Sequence, residues 1–244
     1  MAKRKELNKG LVLVLGVLVG LGGLAFVVYK VTTNLNREDP VAKMAEGDAA
    51  FALAEDPEEK DRAGKYKAAI RAYSEALKAA DKEATPEMFI ACARAYFGAV
   101  AHDPKLSSLK RQEYWGRTSN FVNQALKLDP TNIDALRLQV DMDWGEVMRG
   151  SRQDRTPDYR SFVVLTSQLI EQSPDAKTYF RRGVAYARQI IRDEANAPLA
   201  EADFRKAVEL EPTNSFWRIE GLIAFLENED RGDEAEEAYL SAIE

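Results

Sequence analysis

Cysteine and histidine each occur once in 244 residues. With Cys92 alone, no intrachain disulfide can form, so packing must hold the fold in any redox compartment. With His102 alone, followed by Asp103 and Pro104, a His-rich metal site is excluded, and the residue reads as a loop histidine. No CxxC, HExxH or glycine-rich phosphate loop is present. Charge of positive sign is also scarce: 34 Lys and Arg stand against 40 Asp and Glu. A phosphate-backbone binder needs a basic face, and Lys110-Arg111 and Arg181-Arg182 are too short to make one, so no nucleic-acid partner is expected. Carboxylate pairs such as Glu58-Glu59 and Glu236-Glu237 read as solvated helix faces. Catalysis, a cofactor and a metal are all absent from the expectation.

Long apolar runs are rare too, with one exception. Residues 10–29, GLVLVLGVLVGLGGLAFVVY, carry no charge and follow a basic leader. At about 1.5 Å rise per residue such a run makes about 30 Å of helix, the thickness of a hydrocarbon core. It is longer than a signal-peptide apolar region and has no small-x-small site behind it, so it reads as an uncleaved anchor. The expected organisation is a basic leader (1–9), a transmembrane helix (10–31), a linker (32–40) and a helical domain (41–244). Lys3, Arg4, Lys5 and Lys9 precede the run, and acidic residues follow it. Positive-inside counting therefore predicts a cytoplasmic N-terminus and an extracytoplasmic domain on a bacterial inner membrane. Gly16, Gly20 and Gly23 share one face of this helix: either a seam for a homodimer or the ordinary glycine content of membrane helices.

Beyond the linker there is no strand-like alternation of useful length. The best candidate, Phe162-Val163-Val164-Leu165, sits inside a longer helical pattern, so the domain is predicted to be all-α. One spacing recurs: Ala, an aromatic four on, Ala three further, and Pro five beyond. It is intact in Ala200, Phe204, Ala207 and Pro212. Ala69, Tyr73 and Ala76 repeat it, as do Ala235, Tyr239 and Ala242. Degenerate copies are Thr118, Val122, Ala125, Pro130 and Phe162, Thr166, Leu169, Pro174. Spacings of four and three put these residues on one helix face, where alanines admit a neighbour and the aromatic fills the gap. A partner pattern precedes each copy, clearest in Tyr179–Tyr186 around Gly183, and again in Phe89, Ala93, Tyr96 and in Trp217, Gly221.

This pairing resembles the tetratricopeptide repeat family, over roughly residues 41–244 and most specifically in 176–212 and 213–244. The resemblance implies an α-solenoid of about five stacked antiparallel helix pairs. Two departures stand out. The distances Pro130 to Pro174 and Pro174 to Pro212 exceed the family's repeat length, so longer helices or protruding loops are expected at 101–110, 150–157 and 193–198. The sequence also stops at Glu244, before a proline closes the last unit, and the expectation is that its last face meets a continuation of the chain or a partner.

In such repeats the first helix of each pair lines a concave groove that holds peptides or partner helices. Carrying this over on Gly47, Ala93, Val140, Gly183 and Gly221 gives a middle row of Asp48, Arg94, Asp141, Val184 and Leu222. A deeper row holds Phe51, Phe97, Trp144, Ala187 and Phe225, and a third holds Met44, Ile90, Arg137, Phe180 and Arg218. Phe97, Trp144 and Phe225 equally suit a core between helices. Aromatics with interspersed arginines suit a segment with apolar anchors and some acidic groups. The Lys and Asn set with which one branch of the family grips a terminal carboxylate is not matched here. Cys92 falls where the family buries an apolar side chain.

The functional expectation is a membrane-anchored protein–protein interaction scaffold or chaperone-like adaptor that holds a partner segment in its groove. Two alternatives are the interaction arm of a longer enzyme or receptor, and an import-receptor-like protein whose repeats face the cytosol.

Overall fold

The computed structural model describes residues 39–149, 158–211 and 216–243. Over these the chain forms ten α-helices: α1 (Pro40–Glu55), α2 (Arg62–Ala80), α3 (Pro86–His102), α4 (Ser108–Leu128), α5 (Ile133–Arg149), α6 (Tyr159–Gln172), α7 (Ala176–Ala187), α8 (Asn196–Leu210), α9 (Phe216–Asn228) and α10 (Gly232–Ile243). A single 3-10 turn, Asp81–Glu83, sits between α2 and α3. The helix starts follow from side-chain chemistry. Asp39, Asp61, Ser107, Asp158 and Asp175 each accept a hydrogen bond from a first-turn backbone N–H that has no partner in the helix. Pro40 and Pro86 occupy first-turn positions, where a missing N–H costs nothing. The Leu-Asp-Pro-Thr-Asn run joins α4 to α5 in the same way. Asp129 Oδ1 accepts from the Thr131 N–H (3.0 Å) and hydroxyl (2.8 Å), and Asn132 Oδ1 accepts from the Ala135 N–H (3.0 Å).

Each helix packs on the one before it and the one after it, from α1 through α10. Alternate helices also touch: α1 with α3, α3 with α5, and α7 with α9. The result is a tetratricopeptide-like array of stacked helix pairs, with the first helices of successive pairs side by side. The recurring spacing is the buried seam of this array. Ala69, Tyr73 and Ala76 on α2, Thr118, Val122 and Ala125 on α4, Phe162, Thr166 and Leu169 on α6, and Ala200, Phe204 and Ala207 on α8 are all buried. On α10, Ala235 is buried and Tyr239 is half exposed. Threonine replaces alanine in two copies without leaving a lone polar atom. Thr118 Oγ1 donates to the Tyr114 carbonyl at 3.0 Å, and Thr166 Oγ1 to that of Phe162 at 2.8 Å.

One buried ion pair clamps the two helices of the fourth pair, and its arginine also bonds to the third. Arg182 of α7 forks onto both carboxylate oxygens of Asp203 on α8 (2.8 Å each) and reaches Ser167 Oγ of α6 at 2.9 Å. An aromatic file runs through the same region. Phe162 lies 6.2 Å from Trp144, Trp144 6.3 Å from Phe180, Phe180 5.6 Å from Phe204, and Phe204 5.6 Å from Phe225. These separations suit offset and edge contacts between rings.

Several expectations need correction or placement. Among the described residues no helix is long and apolar enough to cross a membrane. On that finding the fold class is corrected to an all-α array without a membrane-spanning helix among the described residues, and the single-pass localisation with a bilayer partner is set aside. The run 10–31, with Gly16, Gly20 and Gly23, lies outside the described residues. Phe162-Val163-Val164-Leu165 is helical, within α6. The extra residues expected at 101–110 lengthen helices, since α3 continues to His102 and α4 opens at Ser108. Between α7 and α8 they form hydrogen-bonded turns, Asp193 N–H donating to the Gln189 carbonyl at 3.0 Å. The stretch 150–157 lies outside the described residues.

Candidate functional site

Three first helices meet at one cleft. Asp48 and Phe51 come from α1, and Glu87, Ile90, Ala91 and Arg94 from α3. Asn132 and Asp134, at the head of α5, close the far side, and the Tyr73 ring of α2 lies at the base. The cavity holds about 240 Å³. Ile90 and Arg94 are four apart on α3 and therefore point to the same side of the helix, toward α1 on one flank and α5 on the other. Tyr73 donates its hydroxyl hydrogen to Asp48 Oδ1 at 2.8 Å. Burial, with the neighbouring Asp48 carboxylate adding to it, pushes the Tyr73 phenol far above its ordinary range. Arg94 Nη2 donates to Asp134 Oδ1 at 2.9 Å across the gap between α3 and α5. The cleft therefore has an apolar wall of Phe51, Ile90 and Ala91 and a polar rim with fixed hydrogen bonds.

Of the groove residues expected from the sequence, Arg94 lines this cleft with Asp48, Phe51 and Ile90. The others are placed differently. Phe97 is half-buried, 5.9 Å from Trp115 of α4. Trp144 is half-buried between Phe162 and Phe180, with the Arg181 guanidinium 5.2 Å from its ring centre. Phe180 and Val184 pack against the cluster built from α8, α9 and α10, and Leu222 and Phe225 are buried inside it. Leu222 and Phe225 fill the interior between helices, while Phe97, Trp144, Phe180 and Val184 pack beside it and keep part of their surface exposed.

The arginines expected to meet acidic groups of a partner already have partners in the chain. Arg137 donates to Ser173 Oγ at 2.7 Å. Asp141 receives Arg181 at 2.6 Å and Lys177 at 3.1 Å. Arg218 is buried and paired with Glu211. Asp134, Glu87, Asn132 and Ala91 escaped the sequence reading, because the repeat register carries positions from one first helix to the next and says nothing of what a loop or helix start brings to the edge. The signal that could have found Asp134 is the Asn132 cap three residues before Ala135, which fixes where α5 begins.

The rare residues lie elsewhere. Cys92 is fully buried, and burial pushes its thiol up to about 12, so it stays a neutral filler. His102 ends α3, its ring stacked 5.7 Å from that of Tyr66. Tyr66 donates to Glu55, and burial together with that carboxylate pushes its phenol up to about 12. Among the described residues no group of three or more His, Cys, Asp and Glu could hold a metal ion. A second, wider cleft of about 520 Å³ lies between the start of α6 and the α7–α8 connection, lined by Tyr159, Val163, Tyr186, Gln189, Arg192 and Asn196 among others. It is built from the start of a second helix, the end of a first helix and turns, and the sequence gives no hint of it.

Comparison with known proteins adds little beyond the architecture. No protein-family model and no curated protein matches the chain. Among solved structures, a thermophilic TPR protein of Thermus thermophilus is similar at 17% identity with a TM-score of 0.47, over 84% of this chain and 90% of that one. The class assigned here, an all-α tetratricopeptide-like array, rests on the order and packing of the helices described above.

Proposed function

We propose that this chain is a protein-interaction scaffold that holds a segment of another polypeptide against the face formed by its first helices. The observation that carries this reading is the cleft in which α1, α3 and the head of α5 converge, with an apolar wall and a polar rim. A partner side chain entering there would bury its apolar part on Phe51 and Ile90 while its polar end met the rim. Arg94, Phe97, Arg137, Asp141, Trp144, Phe180, Val184, Arg218, Leu222 and Phe225 divide on this reading into direct contacts and supports. Arg94 and Arg137, exposed on α3 and α5, touch the partner, and the aromatic file behind them keeps neighbouring helices in register. Holding a client chain, as a chaperone-like adaptor does, is the use to which such a face is put.

The test fills the cleft. Ala91→Trp and Arg94→Trp each place an indole in it, the first from the wall and the second from the exposed rim. Partners that co-purify with the unaltered protein are expected to be lost from both variants, with thermal melts showing that the variants remain folded. Retention of the same partners by folded variants would remove the cleft as the binding surface.

A further inference from the structure

We propose that the segment held in the α1–α3–α5 cleft presents a basic side chain, lysine or arginine, to it. This rests on the scaffold reading and sharpens it. Three carboxylates line the cleft, Asp48, Glu87 and Asp134, against one guanidinium, Arg94. That guanidinium already donates to Asp134 at 2.9 Å, and Asp48 spends one acceptor site on the Tyr73 hydroxyl at 2.8 Å. A carboxylate has roughly four acceptor sites, so Asp48 and Asp134 keep free capacity, and Glu87 is exposed at the rim. The cleft thus has acceptors to spare, and its lining carries three carboxylates against one cation, which already donates to one of them.

The apolar wall fits the same guest. Lysine and arginine carry a charged head on an aliphatic stem, and the stem covers apolar surface while the head stays polar. Phe51 and Ile90 would take the stem, and Asp48, Glu87 and Asp134 the head. An acidic guest would meet three carboxylates and, as the one cation among the lining residues, Arg94. The charge balance of the whole chain, formally −6 at pH 7, points the same way and would favour encounter with a basic segment. This departs from the sequence-based expectation of acidic groups on the partner: of the groove arginines, Arg94 and Arg218 are each engaged by a carboxylate of this chain, and Arg137 donates to Ser173 Oγ.

The experiment uses three capped peptides, identical except that the positions between leucines are lysine, glutamine or glutamate. Binding is followed by fluorescence anisotropy at low and raised salt. The lysine peptide is expected to bind about tenfold more tightly than the glutamine one, and raised salt to narrow that margin. Glu87→Lys, at an exposed position outside the core, should erase the margin, whereas Glu236→Lys on α10 should leave it. Tightest binding of the glutamate peptide, weakened by Arg94→Ala, would overturn the charge preference while leaving the scaffold reading intact. Lysine-peptide binding that Glu87→Lys and Ala91→Trp both leave unchanged would overturn both, since the site would then lie elsewhere. Failure of all three peptides to bind would overturn the preference alone, the scaffold reading being decided by the partners lost or kept in the cleft-filling variants.

Discussion

Gly47 of α1 lies against the ring of Tyr73 on α2 so closely that a methyl group in place of its hydrogen would overlap the ring. The contact sets the distance between the two helices of the first pair. Because Tyr73 also bonds to Asp48 and lines the cleft, it sets the depth of the candidate site as well. Gly221 of α9 meets Phe180 of α7 in the same manner further along the array.

Gly47→Ala should therefore destabilise the protein by about 1–3 kcal/mol, the usual cost of forcing an extra methyl into a packed core. Gly116, inside α4, has no atom near the place where a methyl would go. Gly116→Ala should stabilise by about 0.5–1 kcal/mol, because it lowers the entropy of the unfolded chain without a clash. Urea midpoints of the two variants are expected to move in opposite directions. Stabilisation by both would show that helix propensity outweighs contact at Gly47.

The Arg182–Asp203 pair gives a second expectation. Both side chains are largely buried, with 18% and 6% of their surfaces exposed. Arg182→Met strands a carboxylate in the interior and should cost about 3 kcal/mol. The double variant Arg182→Met with Asp203→Leu removes both charges and should recover much of that loss, since the pair's attraction largely repays its own desolvation. Thermal or chemical denaturation of the single and double variants measures it, and additive losses would contradict it.

Acid should unfold the protein in a direction set by its paired carboxylates. The Lys67 ammonium, 2.9 Å from Asp103, holds that buried carboxyl below its usual range, and the Lys105 backbone N–H adds to the effect. Arg231 and Arg205 do the same for Glu201, and Lys43 and Arg71 for Glu75. A carboxyl whose folded pKa is depressed contributes stability above its unfolded pKa, about 3.9 for Asp and 4.3 for Glu, and loses it as pH falls through the folded value. The contribution of these three carboxyls should therefore be flat from neutrality down to about pH 5 and decline below about pH 4. Asp103→Asn should be less stable at neutral pH and show a shallower decline in acid. An unchanged slope would mean that Asp103 takes no part.

Much of the fold could be read from residue types alone, and the reason is local. Ala69, Tyr73 and Ala76, or Ala200, Phe204 and Ala207, are placed on one face by helical geometry, and a face of two small residues flanking an aromatic has to be covered. The site was legible only in part. Asp48, Phe51, Ile90 and Arg94 follow from position within the first helices. Asp134 does not, because it reaches Arg94 only through the packing of α3 beside α5. Leu222 and Phe225 were expected on the groove and are buried, since periodicity finds an apolar face without saying which neighbour covers it. The pairing of Arg94 with Asp134 and of Arg218 with Glu211 is illegible for the same reason, arginines being visible in a sequence and their tertiary partners not.

The most direct test of the account places a photo-crosslinking amino acid at position 94 in the cleft and, separately, at position 117 on α4, and compares what each captures in the native source. The account predicts a partner captured from position 94, absent from position 117, and suppressed by the lysine peptide. Capture of the same partner from position 117 with none from position 94 would contradict it.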